Sequence, residues 1–269
     1  MTLLDCPTAA PRPIDPARAL PALRKGLWDR PAGSLVRLLD YRIRITDGPN
    51  AYMQYKDVFV RGNYRFAADR PDPLIIDGGS NMGISILGFK RDHPGCRVIG
   101  FEPDPQIFRM LQDNLARNDA AEGVTLVQAG LASQEGTIGF AADGSSGGRI
   151  AEGTGGSAIR VVRLSDYLRE PVDFLKLNIE GEELPVLQEC ADAGTLANVR
   201  KLVVEYHGWR HGPQRLGDLL NLLDREGFRY LVHDFDAESC GTSKPPFRLR
   251  AKAPWFCLVY AERTAAAAR

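Results

Sequence analysis

From Pro73 onward the chain alternates short apolar runs with amphipathic stretches. "PLIID" reads as a buried strand and "GISILGFKRDH" as a helix. "CRVIGFEP" reads as a second strand. "DPQIFRMLQDNLARND" follows as a helix with Asp104 at its N-cap and Ile107, Met110, Leu111 and Leu115 on one face. "VTLVQAG", "VDFLKLNIEG" and "VRKLVVEYH" continue the strands, with a helix at "EELPVLQECAD" between the last two. "RLGDLLNLLDREGF" is a further helix, stopped by Gly227. "RYLVHDF" and "WFCLVYAER" supply two last strands. Short apolar strands alternating with helices predict an α/β protein. Its sheet is doubly wound, Rossmann-like and mainly parallel, with seven strands and both faces covered. The last two strands are joined by a loop alone, so one of them is expected to run antiparallel at the edge.

Two segments break the rhythm. "GTIGF" and "IRVVRL" read as an inserted strand pair. The Gly/Ser-rich stretch 141–158 between them is expected to be a plain loop. Upstream, residues 1–16 are rich in proline and small residues and are expected to be a disordered terminus. Residues 17–70 are expected to form a cap or lid. In it, 17–40 predict one or two short helices, and "YRIRIT" alternates as a strand with one wet face. The aromatic segment from Tyr52 to Phe66 would cover an acceptor pocket or join two subunits as a homo-oligomer; the sequence leaves both open. Residues 71–263 then form the main domain, and 264–269 a frayed end.

Composition narrows the classes. Lys+Arg and Asp+Glu both number 34, so there is no basic excess of the kind nucleic acid requires. The five cysteines are widely spaced with no C-x-x-C, which reads as reduced thiols and not as a disulfide frame or zinc site. No apolar run approaches the roughly 18 residues of a membrane helix. The N-terminus lacks the basic and apolar regions of a secretory signal. A cytoplasmic protein without membrane or nucleic-acid partners is the expectation.

The candidate chemistry begins at "LIIDGGSNMGISI". In an open parallel sheet, ligands bind at the carboxyl ends of the strands. Gly78 and Gly79 would let a ligand approach bare backbone, and Gly83 would let the next helix pack closely. Amides at the start of that helix would face the ligand. Nineteen positions beyond Gly83, Glu102 ends the second strand, where a carboxylate can accept from a ribose diol. The ligand is therefore read as a nucleoside. The dinucleotide fingerprint G-x-G-x-x-G fails at Ser80 and at Asn81. An acid-led turn remains, in which Asp77 could pair with a cationic amino group. S-adenosyl-L-methionine carries a ribose, an ammonium and no phosphate, and suits these groups better than NAD.

These motifs resemble those of the FkbM family of S-adenosylmethionine-dependent methyltransferases. "IIDGGSNMGISI" looks like the family's first motif, "GFEPDP" its second and "DFLKLNIEGEELPVL" its fourth-strand motif, with "NYRF" fitting upstream. The resemblance spans about Tyr41 to Asp234. It implies the class I methyltransferase fold and a cofactor set of Asp77, Gly78, Gly79, Ser80, Asn81, Gly83, Glu102, Pro103, Ala129 and Asn178. It also implies a small-molecule acceptor, such as a hydroxyl on a sugar or secondary metabolite. The family commonly has Asp where this chain has Asn178, which weakens any base role at that position.

On the fourth strand, alternation puts Lys176, Asn178 and Glu180 on one face. A polar stripe on a parallel central strand needs a reason. Either Lys176 joins a structural ion pair with Asp77 or Glu183, or the stripe is catalytic. For methylation of a hydroxyl, Glu180 is the first candidate base and His207 the second, with Asn178 orienting a ligand by hydrogen bonds. His207 and His211 have H-x-x-x-H spacing, but Gly208 and Gly212 argue for a loop; no required metal is expected, with a divalent ion held by Glu180, Glu205 and His207 as the alternative. The alternatives are methylation at nitrogen or a carboxylate on a small molecule or peptide, a non-catalytic methyltransferase-like binding protein, and an NAD(P)-linked oxidoreductase.

Overall fold

The computed structural model describes residues 15–141, 149–150, 157–208, 213–233 and 255–263. The expectations for the terminus up to residue 14, most of the Gly/Ser stretch, His211 and the last six residues fall outside them. The described chain opens with a 3-10 turn, α1 (Leu20–Leu27), β1 (Leu35–Leu38), β2 (Tyr41–Arg44) and α2 (Gly48–Tyr55). A π-helical stretch, Lys56–Arg61, continues α2. The central unit follows as β3 (Leu74–Gly78), α3 (Ile84–Asp92), β4 (Arg97–Phe101), α4 (Pro105–Arg117) and β5 (Val124–Val127). An insertion supplies β6 (Gly130–Leu131), β7 (Gly136–Ala141), β8 (Arg149–Ile150) and β9 (Ser157–Val162). The chain returns through β10 (Val172–Leu177), α5 (Glu183–Asp192), β11 (Val199–Gly208), α6 (Leu216–Arg225), β12 (Phe228–His233) and β13 (Trp255–Arg263).

The main sheet has the seven strands that the periodicity predicts, in the order β12-β13-β11-β10-β3-β4-β5. The order reverses beside β3, which puts the carboxyl ends of β3, β4 and β10 at the ligand-binding crevice of such folds. Two expectations need correction. The antiparallel strand is β13, but it lies between β11 and β12 and not at the edge. Residues Leu35–Leu38 form a strand paired with β2, not part of a helix. The inserted pair, β7 with β9, is present and belongs to a four-stranded sheet.

Side-chain alternation sorts the sheet into two faces. Ile76, Leu175, Leu177, Leu202 and Val204 pack with α5 and α6 in one core. Ile75, Phe174, Val203 and Leu258 pack with α3, α4 and the N-terminal segment in the other. The N-terminal segment is thus built into the second core, where Leu38, Ile43, Ile45 and Tyr55 have no exposed surface. Among the described residues no helix is long and apolar enough to cross a membrane.

Helix α4 fixes the N-terminal segment to the central unit. Asp104 caps it by accepting from the amides of Gln106 and Ile107 at 2.7 and 3.1 Å. One turn apart on α4, Asn114 and Asn118 meet β2 along the edge that β1 leaves open. Asn114 accepts from the Arg44 amide at 2.7 Å and donates to the Arg44 carbonyl at 2.8 Å. Asn118 does the same at Arg42, at 2.9 and 3.0 Å. Two side-chain amides thereby replace a neighbouring strand. Asn114 also donates to the Met82 carbonyl at 2.9 Å, which ties β2 to the glycine turn. Replacing Asn114 by Ala strands buried backbone groups and is expected to cost about 3 kcal/mol in urea unfolding. Asn118→Ala, at a half-buried position on the rim of the contact, is expected to cost under about 1 kcal/mol. Equal losses at the two sites would show that burial does not distinguish them.

Candidate active site

The turn after β3 is held together by its own atoms. The amides of Gly79 and Ser80 both donate to the Phe101 carbonyl, at 3.1 and 2.8 Å. The Asn81 amide donates to Glu102 Oε2 at 3.0 Å, and the Met82 amide to Asn81 Oδ1 at 2.9 Å. The Gly83 amide closes back on the Ser80 carbonyl at 2.9 Å. Every amide from residue 79 to 83 is therefore engaged inside the protein.

The glycines have internal reasons too. Gly79 has φ 80°, and a Cβ there would run into the Asn178 carbonyl. Gly83, at φ 90°, caps α3, and a Cβ there would meet Leu111 of α4 at 2.7 Å. The close approach predicted from the sequence is real, but the neighbours are β10 and α4 as much as any ligand.

Asp77 also needs correction. It is fully buried; Lys176 Nζ lies 2.9 Å from its Oδ1, and the Ser85 hydroxyl donates to its Oδ2 at 2.6 Å. The lysine meets Oδ1 off the hydrogen-bonding direction, so this contact is a charge pairing. The remaining lysine donors go to the Gly78 and Gly79 carbonyls at 3.1 and 2.6 Å. Asp77 is thus occupied by Lys176 and does not reach a ligand ammonium, and the ion-pair reading of Lys176 holds. Ser80 likewise turns inward and donates to the Asp77 carbonyl at 3.0 Å. Ala129 is buried in the core beneath the sheet, with Pro103 half-buried nearby.

Glu102 closes β4 and is 5% exposed. Its two oxygens accept from the amides of Asn81 and Asp104, at 3.0 and 2.9 Å. Burial pushes its carboxyl up to about 7 against those hydrogen bonds. Each oxygen keeps further acceptor capacity.

Beyond β10 the chain turns sharply. Asn178 is half-buried, and its Oδ1 is buried with no hydrogen-bond partner among the described residues. Glu180 adopts φ 60°, rare for a side-chain-bearing residue, followed by Gly181 at φ 112°. Glu183 spans this turn, accepting from the Ile179 amide at 3.1 Å and the Gly181 amide at 3.0 Å. From β11, His207 points to the same place. It lies 3.1 Å from Glu183, 3.5 Å from Glu180 and 3.7 Å from Glu205. Burial alone would lower its pKa, but the three carboxylates raise it to about 9. Three surrounding carboxylates favour the imidazolium, which has no lone pair to take a proton, and this geometry disfavours His207 as the base.

Three residues that were not among the candidate catalytic or cofactor-binding residues also enter the site. Tyr64, from "NYRF", donates to Glu205 at 3.5 Å, hydrogen-bonds the Asn178 side chain and lies 5.6 Å from Lys176 Nζ. Burial, then Glu205, raise its hydroxyl well above the ordinary value, so it stays a donor. Burial also raises the Glu205 carboxyl, against the pull of His207. Glu183 completes the set. Period-2 alternation along "VVEYH" would have put Glu205 beside His207. Glu183 and Tyr64 depend on a turn and a cap whose course no local pattern reveals. Among the described residues no group of three acidic, histidine or cysteine side chains is arranged to hold a metal ion.

The Lys176–Asp77 pair can be tested by a mutant cycle. Lys176→Met leaves a buried carboxylate without its cation and is expected to cost about 4 kcal/mol in denaturant unfolding. Combining it with Asp77→Leu is expected to cost clearly less than the sum of the two single changes. Simple additivity would mean that the pairing carries no stability.

This chain is similar to known proteins to measurable degrees. The family described as "Methyltransferase FkbM domain" matches residues 77–230. The methyltransferase sdnD of Sordaria araneosa is 33% identical over 189 residues, covering 56% of this chain and 73% of that protein. The 31-O-demethyl-FK506 methyltransferase FkbM of Streptomyces tacrolimicus is 29% identical over 232 residues, covering 71% and 86%. Among solved structures, M. jannaschii TYW2 in complex with AdoMet is 10% identical with a TM-score of 0.46, covering 88% of this chain and 90% of that one. With the family match reaching from Asp77 to β12, this chain belongs to the FkbM family of S-adenosylmethionine-dependent methyltransferases.

Proposed function

We propose that this methyltransferase acts on a hydroxyl of a small molecule, a sugar or secondary metabolite, with Glu180 as the general base. When bound, S-adenosylmethionine supplies a methyl group on a sulfonium, which a nucleophile takes by direct displacement. The residues present fit that cofactor. The glycine turn keeps no amide between residues 79 and 83 for a pyrophosphate, which disfavours a dinucleotide. The groups with acceptor capacity are the Glu102 carboxylate and the orphaned Asn178 Oδ1. Both suit the hydroxyl and ammonium donors of a phosphate-free nucleoside. In this reading Glu102 accepts from the ribose diol, with the turn at Gly78, Gly79, Asn81 and Gly83 and with Pro103 shaping the wall.

The observation that carries the acceptor reading is Glu180. A carboxylate held at φ 60°, at the carboxyl end of β10, is an uncommon backbone state of the kind that clusters at functional sites. A hydroxyl acceptor gains from a base there, since its proton must leave as the methyl group arrives. The name of the Streptomyces relative points to the same atom type, an oxygen. The neutral Asn178 favours a second reading, a protein that binds the cofactor without turnover. Methyl transfer to any acceptor would exclude it.

The test of the cofactor site is calorimetric titration with S-adenosylhomocysteine, with NAD as control. Ribose hydroxyls favour the ionised form of Glu102, whose pKa is raised to about 7. Affinity is therefore expected to rise between pH 6 and pH 8, with proton release on binding. Glu102→Ala should weaken binding by about 2 kcal/mol and flatten that pH dependence. Unchanged affinity in a folded variant would overturn the ribose assignment, and binding of NAD would overturn the cofactor reading.

Glu180→Gln tests the base. It is expected to leave S-adenosylhomocysteine affinity intact and to slow methyl transfer by about 10²–10⁴-fold. A wild-type rate would move the base elsewhere, with Glu205 the next carboxylate in the site.

A further inference from the structure

His207 is enclosed by carboxylates from three different elements. Its Nδ1 lies 3.1 Å from Glu183 Oε1, at the start of α5. Its Nε2 lies 3.5 Å from Glu180 Oε2, on the turn after β10, and 3.7 Å from Glu205 Oε1, two residues back on β11. Phe256 of β13 packs edge-on against the ring, with centroids 5.1 Å apart, and adds no charge. Tyr64, the nearest titratable group from the N-terminal segment, addresses Glu205.

A neutral imidazole has one N–H and one lone pair. Here either tautomer would turn a lone pair toward a carboxylate oxygen, which accepts and does not donate. Only the imidazolium offers a donor on both sides. The ring is also nearly inaccessible, with the His207 and Glu183 side chains each 2% exposed. Neither residue has the surface to meet a substrate.

Glu183 has a second role in the same place. Its carboxylate accepts from the amides of Ile179 and Gly181, the two residues that flank Glu180. One buried side chain thus grips the backbone on both sides of Glu180 and also the ring that faces the Glu180 carboxylate. Glu180 is held from two directions, through its backbone by Glu183 and through its carboxylate by His207.

We propose that Glu183 and His207 are positioning residues, a buried carboxylate–imidazolium pair that holds Glu180 in its left-handed conformation and in its ionised form. The inference rests on the reading of Glu180 as the base. The direction of the His207 shift agrees with the geometry. Burial works against the charge, and Glu183, Glu180 and Glu205 together more than reverse it. Its pKa of about 9 keeps the ring cationic across the neutral range. A cation beside Glu180 favours the carboxylate over the carboxylic acid, and only the carboxylate can take a proton from a hydroxyl.

The test is ¹⁵N NMR of histidine-labelled protein titrated from pH 5 to pH 10, without cofactor or acceptor. The chain has four histidines, and His207→Gln assigns the signals by deletion. In the wild type, both His207 nitrogens are expected to stay protonated at pH 7.5, with a midpoint near 9. Glu183→Gln and Glu180→Gln should each lower that midpoint, Glu183→Gln by more. A neutral tautomer at pH 7.5 in the wild type would overturn the proposal. So would a midpoint unmoved by Glu180→Gln, a variant on a turn less buried than Glu183 that keeps the reading available if Glu183→Gln fails to fold. Failure of the base assignment shows separately, as wild-type turnover in Glu180→Gln with the NMR shifts intact.

Discussion

The ammonium of Lys176 is the contact on which the site depends. A cation on a central parallel strand is costly unless each donor is satisfied. Here it is balanced by Asp77 on β3 and by the carbonyls of Gly78 and Gly79. Those carbonyls belong to the turn that carries the cofactor motif. Lys176 therefore does not face the ligand. It fixes the angle at which the chain leaves β3, and β10 contributes to this turn through its own backbone as well: the Asn178 amide donates to the Gly78 carbonyl at 3.1 Å. An uncharged residue at 176 would leave two carbonyls and one carboxylate without this partner. The polar stripe at the carboxyl end of β10 thus has two parts, a structural one at Lys176 and, at Glu180, the carboxylate proposed as the base.

The N-terminal segment closes this arrangement from above. Gln54 of α2 donates to Asn81 Oδ1 at 2.9 Å, and that same oxygen accepts the Met82 amide. Asn81 stands at φ 47°, so the contact from Gln54 supports a backbone state that the turn alone would hold less firmly. Asn114 secures the next residue, Met82, while binding β2. Tyr64 reaches across to Asn178 and Glu205. The cap thus meets the glycine turn directly at Gln54–Asn81, is tied to it again through Asn114 of α4, and reaches the ends of β10 and β11 through Tyr64. The π-helical turns from Lys56 to Arg61, which lead the chain from α2 toward Tyr64, fit the recurrent use of such irregular helix near functional sites.

Much of this was legible in the sequence because it follows local rules. The central strands, the Asp104 cap, the Gly227 stop and the acidic end of β4 rest on periodicity and turn chemistry within a few residues. What was not legible depends on partners far along the chain. Leu35–Leu38 has too short a pattern to mark it as a strand, and only pairing with β2 makes it one. The place of β13 between β11 and β12 is a matter of long-range pairing, which the order of elements does not fix. Asp77 reads in the sequence both as a ligand group and as a partner of Lys176, 99 positions later (176 − 77), and only the fold decides for the lysine. His207 reads as a base until three carboxylates from separate segments are counted around it.

The same distinction explains why the motif after β10 contains so many acids. Glu180, Glu182 and Glu183 follow one another closely, and a reading by composition would treat them alike. Glu183 begins α5, where a carboxylate is favoured by the helix N-terminus and by the two turn amides it accepts. Those hydrogen bonds fix its position without any ligand, beside the His207 ring. Glu180 lies outside the helix, on a left-handed residue, and its carboxylate meets the far nitrogen of the same ring. One acid is held by the fold and lends its charge to the imidazole. The other is held by that imidazole and stands toward the end of β10 where the chemistry is proposed. The pair is ordered by backbone geometry, not by residue type, and Gly181, at φ 112° between them, sets the two carboxylates on their different paths.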